Sequence, residues 1–219
     1  MIESHQLKVV RTAHFYSIGT SGPEVKYLLI ACHGYGQLAQ HFIRKFDVLH
    51  RADTLIVAPE GLSRFYWDGL TGKVASSWMT KANRLDEIAD YSQYLSTLYQ
   101  QYKDQLAKDV HIILLGFSQG AATQVRWAMQ DFPAFHTLIL WGGMIPEDLD
   151  YLPHAAYWAN KKIYAVFGTA DEYLTPDRLQ FHSDLIRQQQ LQVEERSFTG
   201  GHTIDRDALV SLFSEIRGG

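Results

Sequence analysis

The stretch from Val110 to Met129 constrains this chain more than any other. A short apolar run ends in Gly116-Phe117-Ser118-Gln119-Gly120, and a helix-like segment follows. Val110, Ile112, Ile113, Leu114 and Leu115 read as a buried strand, and Ala121, Ala122, Val125, Trp127, Ala128 and Met129 as a helix ending near Pro133. A Gly-x-Ser-x-Gly between such elements is a nucleophile elbow. The turn is so sharp that the serine backbone is strained and its hydroxyl projects over the end of the sheet. Gly116 and Gly120 fit this reading, because a side chain at either would collide with the neighbouring strand or helix. Ser118 is therefore the candidate nucleophile.

The rest of the pattern supplies a scaffold. Tyr27 to Cys32, Thr54 to Ala58, Thr137 to Trp141 and Ile163 to Phe167 are short, near-continuous apolar runs, as expected of strands covered on both faces. Helical spacing separates them over Leu38–Leu49, Leu85–Tyr102 and Pro176 to about Gln189, and a last alternating strand over Val193–Phe198 precedes a helix over Arg206–Ile216. Leu85, Ile88, Ala89, Tyr91, Leu95 and Leu98 would form the inner face of the second helix. His5 to Tyr16 alternates loosely, as an edge strand or hairpin does. The alternation predicts one α/β domain over residues 1–219, with a mostly parallel, doubly wound sheet, helices on both faces and ligands beyond the carboxyl ends of the strands. No separate lid domain fits. From Leu62 to Asn83 periodicity stops, and Met144 to Trp158 is a second irregular stretch. Loops this long are usually functional, so Trp67, Trp78, Met79, Met144 and Trp158 are the candidate substrate-binding residues.

Three side chains follow three late strands in the order Ser118, Asp171, His202. A neutral hydroxyl is a poor nucleophile at pH 7. An imidazole, with an ordinary pKa of about 6.5, can take its proton and later return it to the leaving group. A carboxylate on the other ring nitrogen fixes the tautomer and stabilises the imidazolium. His202 is favoured because Gly200 and Gly201 precede it on a loop after a strand. Asp171 is favoured because it follows Gly168 and a strand, with Asp148 and Asp150 as its rivals. Attack on a carbonyl also needs N–H donors for the developing oxyanion. Gln119, at the start of a helix, and Tyr35, in His33-Gly34-Tyr35-Gly36, are the candidates, while His33 reads as a brace for that loop.

Composition narrows the partners. The 219 residues carry a formal net charge of −4 with no block of Lys or Arg, which argues against nucleic acid or an anionic bilayer. The expected partner is a small-molecule or acylated substrate, and oligomeric state is not readable. Cys32 is the single cysteine and reads as a small buried thiol. No signal-like or membrane-spanning apolar stretch occurs, so a cytoplasmic, soluble protein without transmembrane anchoring is expected.

Taken in order, His33-Gly34-Tyr35-Gly36, Gly116-Phe117-Ser118-Gln119-Gly120, Gly168-Thr169-Ala170-Asp171 before Pro176, and Gly201-His202 make the chain resemble the carboxylesterase/phospholipase group of α/β-hydrolases, which includes the acyl-protein thioesterases. The resemblance implies the α/β-hydrolase fold and Ser118, Asp171 and His202 as a catalytic triad. It also implies an oxyanion hole from the Tyr35 and Gln119 amides, action on esters and thioesters including lysophospholipids, and no metal or organic cofactor. Two other readings keep the same scaffold: a catalytically silent ligand-binding module, and an amidase or peptidase using the same triad.

Overall fold

The structure is a computed structural model, and it describes residues 1–218. A seven-stranded sheet has the order β1-β3-β2-β6-β7-β8-β9. Its strands are β1 (Phe15–Ile18), β2 (Tyr27–Cys32), β3 (Thr54–Pro59), β6 (His111–Phe117), β7 (Thr137–Trp141), β8 (Lys162–Gly168) and β9 (Val193–Phe198). Only β1 runs antiparallel, against β3; every other pairing is parallel. The expected edge strand thus exists, but it is shorter and later than His5–Tyr16, and the residues before Phe15 take no regular form.

Strand alternation divides the apolar side chains between two cores. Leu28, Ile30, Ile112, Leu114, Leu138 and Leu140 face the layer built by α2 (Arg84–Lys103), α3 (Gln119–Asp131) and α5 (Pro176–Gln188). Leu29, Ala31, Ile113, Leu115, Ile139 and Trp141 face α1 (Ala39–Phe42), the 3-10 turn Ile43–Leu49 and α6 (Arg206–Gly218). Burial on both faces explains why the central strands are continuous apolar runs. A short α4 (Ala155–Trp158) follows the 3-10 turn Leu152–His154.

Three expectations are corrected here. Leu62–Asn83 is not all loop. It contains a two-stranded hairpin, β4 (Ser63–Tyr66) and β5 (Val74–Ser77), whose Gln37–Ser76 bridge ties it to the loop after β2. Leu38–Leu49 is α-helical for a single turn and then tightens into a 3-10 helix. On α2, Leu85 and Ala89 face solvent, while Ile88, Tyr91, Ser92, Leu95, Leu98, Tyr99 and Tyr102 are the buried residues. The inner face is therefore more aromatic and starts later than the sequence spacing indicates.

From β2 the chain moves to β3 on one side, and β6 then joins β2 on the other. The order reverses between β2 and β6, and a crevice opens at their carboxyl ends where successive connections diverge to opposite faces. At this point α3 approaches β2 closely: a Cβ on Gly120 would lie 2.2 Å from the Cys32 carbonyl oxygen and 2.7 Å from that of His33. Because backbone atoms on both sides cannot yield, Gly120→Ala is expected to cost about 2–4 kcal/mol or prevent folding. Gly22→Ala, where no atom lies within 4 Å of the added methyl, should change stability by less than about 0.5 kcal/mol. Urea unfolding of the two variants beside the parent checks both values.

Candidate active site

Ser118 sits at the N-cap of α3 with φ 54° and ψ −117°, a conformation that a non-glycine residue adopts at an energetic cost. Its hydroxyl makes no capping bond, although serine at this position usually accepts one from the first turn. The side chain is thereby left for the cleft. The backbone is fixed from the sheet, since Ser118 N–H donates to the Trp141 carbonyl at 2.8 Å.

The loop after β2 is framed by buried polar groups. His33 Nδ1 lies 2.8 Å from the Gly34 carbonyl, so it carries the proton, and Nε2 accepts from Gly61 N–H at 2.9 Å. Trp78 Nε1–H donates to the His33 carbonyl at 2.9 Å. The Glu60 carboxylate, 3% exposed, accepts from Ala39 N–H at 3.1 Å and from Arg64 Nε–H at 2.7 Å. In front of this frame the N–H of Tyr35 has no partner among the described residues. Gln119 N–H lies in the first turn of α3, where no helical acceptor exists. The Gln119 side chain is anchored separately, accepting from Trp78 N–H at 3.1 Å and donating to the Met79 carbonyl at 2.9 Å.

His202 follows β9, and Asp171 follows β8. The two meet with Nδ1 and Oδ2 2.8 Å apart, while Asp171 Oδ1 accepts from Tyr173 N–H at 3.0 Å. Trp141 Nε1–H anchors the histidine loop through the Thr203 carbonyl at 2.8 Å. The imidazole lies between Phe117 and Tyr173, with ring centroids at 4.8 and 4.7 Å. Ser118 and His202 line one cleft of about 700 Å³, meeting as its walls rather than as a hydrogen-bonded pair. Of the two rival acids, Asp148 lines the same cleft but is held by arginines instead of a histidine: Arg126 engages both of its oxygens, and Arg84 one.

Of the expected binding residues, only Met144 lines this cleft. Trp78 and Trp158 are corrected: both are buried, Trp78 packing on His33 and Tyr91, and Trp158 on Phe135, Tyr151 and Tyr157. Trp67 is exposed on the hairpin, where it stacks on Phe65 and meets Tyr35 at a tilt beside the first loop, and Met79 is half-buried behind Gln119. Sequence reasoning missed Tyr173, which covers the histidine, and His182. The latter is buried on α5, and its Nε2 accepts from Ile145 N–H at 2.9 Å, holding the cleft wall. A histidine on the inner face of the helix opened by Pro176 was the available signal.

A strained serine over a reversal in a parallel sheet, with a carboxylate-bound histidine in the same cleft, defines an α/β-hydrolase. The chain belongs to the phospholipase/carboxylesterase family, whose profile matches residues 15–217. A comparison with curated proteins finds no match. Among solved structures, it is similar to Zea mays acyl-protein thioesterase 2 (TM-score 0.72, 15% identity, covering 94% of this chain and 99% of that one). It is also similar to esterase PE8 (0.68, 18%, 95% and 99%) and to a phospholipase/carboxylesterase from Dyadobacter fermentans (0.64, 17%, 94% and 97%).

The buried histidines couple this architecture to pH. Burial is the main cause that pushes both His33 and His182 from 6.5 down to about 4. Each presents Nε2 to a backbone N–H, so protonation there would set two donors against each other. Between pH 6.5 and 4 the unfolded chain binds more protons than the folded one, so stability rises with pH across this window. Urea midpoints should be level above about pH 6.5 and fall as pH drops toward 4, and in His182→Gln the fall should be shallower. A parent midpoint unchanged down to pH 4.5 contradicts this account.

Proposed function

We propose that the protein is a serine hydrolase of carboxylic esters, with thioesters as a second substrate class, acting through an acyl-enzyme on Ser118. The observation that carries this reading is the 2.8 Å contact of His202 Nδ1 with the Asp171 carboxylate in the cleft that Ser118 also lines. The carboxylate holds the proton on Nδ1 and leaves the Nε2 lone pair to act as base. As Ser118 Oγ attacks the carbonyl carbon, its proton passes to His202. The charge on the carbonyl oxygen is met by the N–H groups of Tyr35 and Gln119. His202 then protonates the departing alcohol or thiol as the acyl–oxygen or acyl–sulfur bond breaks. Water attacks the acyl-enzyme by the same route, releasing the acid and restoring the serine.

The unpaired Tyr35 amide supports its role, because an N–H held away from every protein acceptor by the surrounding frame is preorganised for a charge that appears only during reaction. Its loop is kept in place by His33, Gln37 and Ser76. No observation favours amide cleavage or a silent binding site over this chemistry.

Ser118→Ala is expected to abolish both release of p-nitrophenol from short acyl esters and covalent labelling by a fluorophosphonate. Asp171→Asn should lower kcat by roughly 10² to 10⁴ with little change in KM, because the amide no longer holds the productive tautomer. Full turnover by Ser118→Ala in the purified, folded protein rejects the reading.

A further inference from the structure

We infer that the ion pairs joining Arg126, Asp148 and Arg84 form an end wall to the cleft and restrict it to short acyl arms. The inference deepens the hydrolase reading of Ser118 and rests on it. Two walls leave the serine together. One is α3, on which Ala122 and Arg126 lie one and two turns beyond Ser118 on the same side. The other is the segment after β7, which starts at Gly143, where an added Cβ would lie 2.7 Å from the Ser118 carbonyl oxygen, and passes Met144 and Ile145 to Asp148.

The two walls are zipped together at their far end. Arg126 Nη2 and Nη1 donate to Asp148 at 2.5 and 3.1 Å, and Arg84 Nη2 donates from α2 at 2.8 Å. The lining therefore changes from Ala122, Met144 and Ile145 to a charged closure. Arg126 is 7% exposed, and its Nε already lacks a partner. Opening the pair would leave a second deficit on a buried cation, so the closure does not yield to an apolar chain. The two arginines hold the carboxyl of Asp148 down at about 2, which keeps the closure charged throughout the working pH range.

Distance sets the cut-off. From Ser118 to Arg126 the helix advances about 12 Å, and side chains lean back toward the helix start. An extended chain advances about 1.2 Å per bond, as backbone does, so about six to eight carbons fit before the wall. Each methylene buried up to there should raise kcat/KM by about fourfold. Carbons beyond it must press against the charges or bend the chain back out of the cleft, so each lowers kcat/KM instead of raising it.

The test is kcat/KM for a series of p-nitrophenyl esters from acetyl to dodecanoyl, held below their aggregation limits, on the parent, Arg84→Met and Arg126→Met/Asp148→Leu. The double change removes both charges at once and leaves neither unpaired. Fluorophosphonate labelling reports a reactive serine in each protein. For the parent, kcat/KM should peak at or below octanoyl and fall by about tenfold or more at dodecanoyl. The dodecanoyl-to-butyryl ratio should rise by about tenfold in the double variant and by about threefold in Arg84→Met, which loosens the closure without removing the Arg126–Asp148 pair. If the double variant does not fold, Arg84→Met, which removes one of the three hydrogen bonds of the closure and keeps the Arg126–Asp148 pair, carries the comparison. A parent profile that climbs through dodecanoyl, or variants with the parent ratio, overturns the wall while leaving the hydrolase reading intact. A parent that neither labels nor turns over any ester overturns both.

Discussion

The close approach of the start of α3 to the ends of β2 and β6 is the constraint on which the rest of this structure depends. A Cβ on Gly116 would lie 2.2 Å from the Gly120 carbonyl oxygen, so the strand and the helix that leaves it are in backbone contact. Only a turn that drives Ser118 to φ 54° permits this. The strain is of order 1–3 kcal/mol, and it is offset by the helix that follows, which buries Ala121, Val125, Trp127 and Ala128 against the sheet. The geometry has a chemical consequence. With α3 this close to β2, the free N–H at the start of the helix and the loop after β2 open toward the same crevice.

The loop after β2 is held by a method that costs energy when done incompletely. His33, Glu60, Ser76 and Ser77 are all buried polar residues, and each needs partners to offset lost hydration. His33 bonds on both ring nitrogens, both Glu60 oxygens are engaged, and the hydroxyls of Ser76 and Ser77 are bonded. Such a network has few alternative arrangements, so it fixes the loop's shape more firmly than apolar packing alone. Trp67 adds a steric lock from outside: Gly36 has φ 76°, and a Cβ there would lie 2.2 Å from the indole.

Where burial and backbone punctuation act together, the sequence is legible. Tyr27–Cys32, Thr137–Trp141 and Val193–Phe198 have the bounds read from their apolar runs and turn residues. The helix opened by Pro176 is capped by Thr175, whose side chain accepts from Arg178 N–H. The hairpin β4–β5 escapes such a reading because it lies off the main sheet, Ser63–Tyr66 alternates between half-buried and exposed, and its tie to the rest of the fold comes from the distant Gln37. The tryptophans illustrate a second limit. A large amphipathic side chain in an irregular stretch serves equally as a core anchor or as a pocket wall. Trp78 and Trp158 fall on the first side, Trp67 on neither. Asp148 against Asp171 turns on which acid already has cationic partners, and that depends on where α2 and α3 pack.

The placement of Ser118, Asp171 and His202 follows from the sheet, and so does the difficulty of bringing His202 into the cleft that Ser118 lines. Ser118 follows β6, the cleft wall β7, Asp171 β8 and His202 β9, which are consecutive neighbours in the sheet. At about 4.8 Å per strand, the last lies about 14 Å from the first, beyond the reach of an imidazole on a straight continuation of β9. The loop must therefore fold back across two strands. It can do so because Gly168 allows the Gly200 carbonyl oxygen within 2.3 Å of where a Cβ would stand, and because Ala170 N–H bonds that same oxygen at 2.8 Å. Gly142, at φ 57°, leaves room beneath the ring, where a side chain's Cβ would lie 3.1 Å from His202 Cε1. Trp141 then catches the returning chain at Thr203. The glycines at the ends of β7 and β8 thus decide where the imidazole stands, since side chains there would meet His202 Cε1 and the Gly200 carbonyl oxygen.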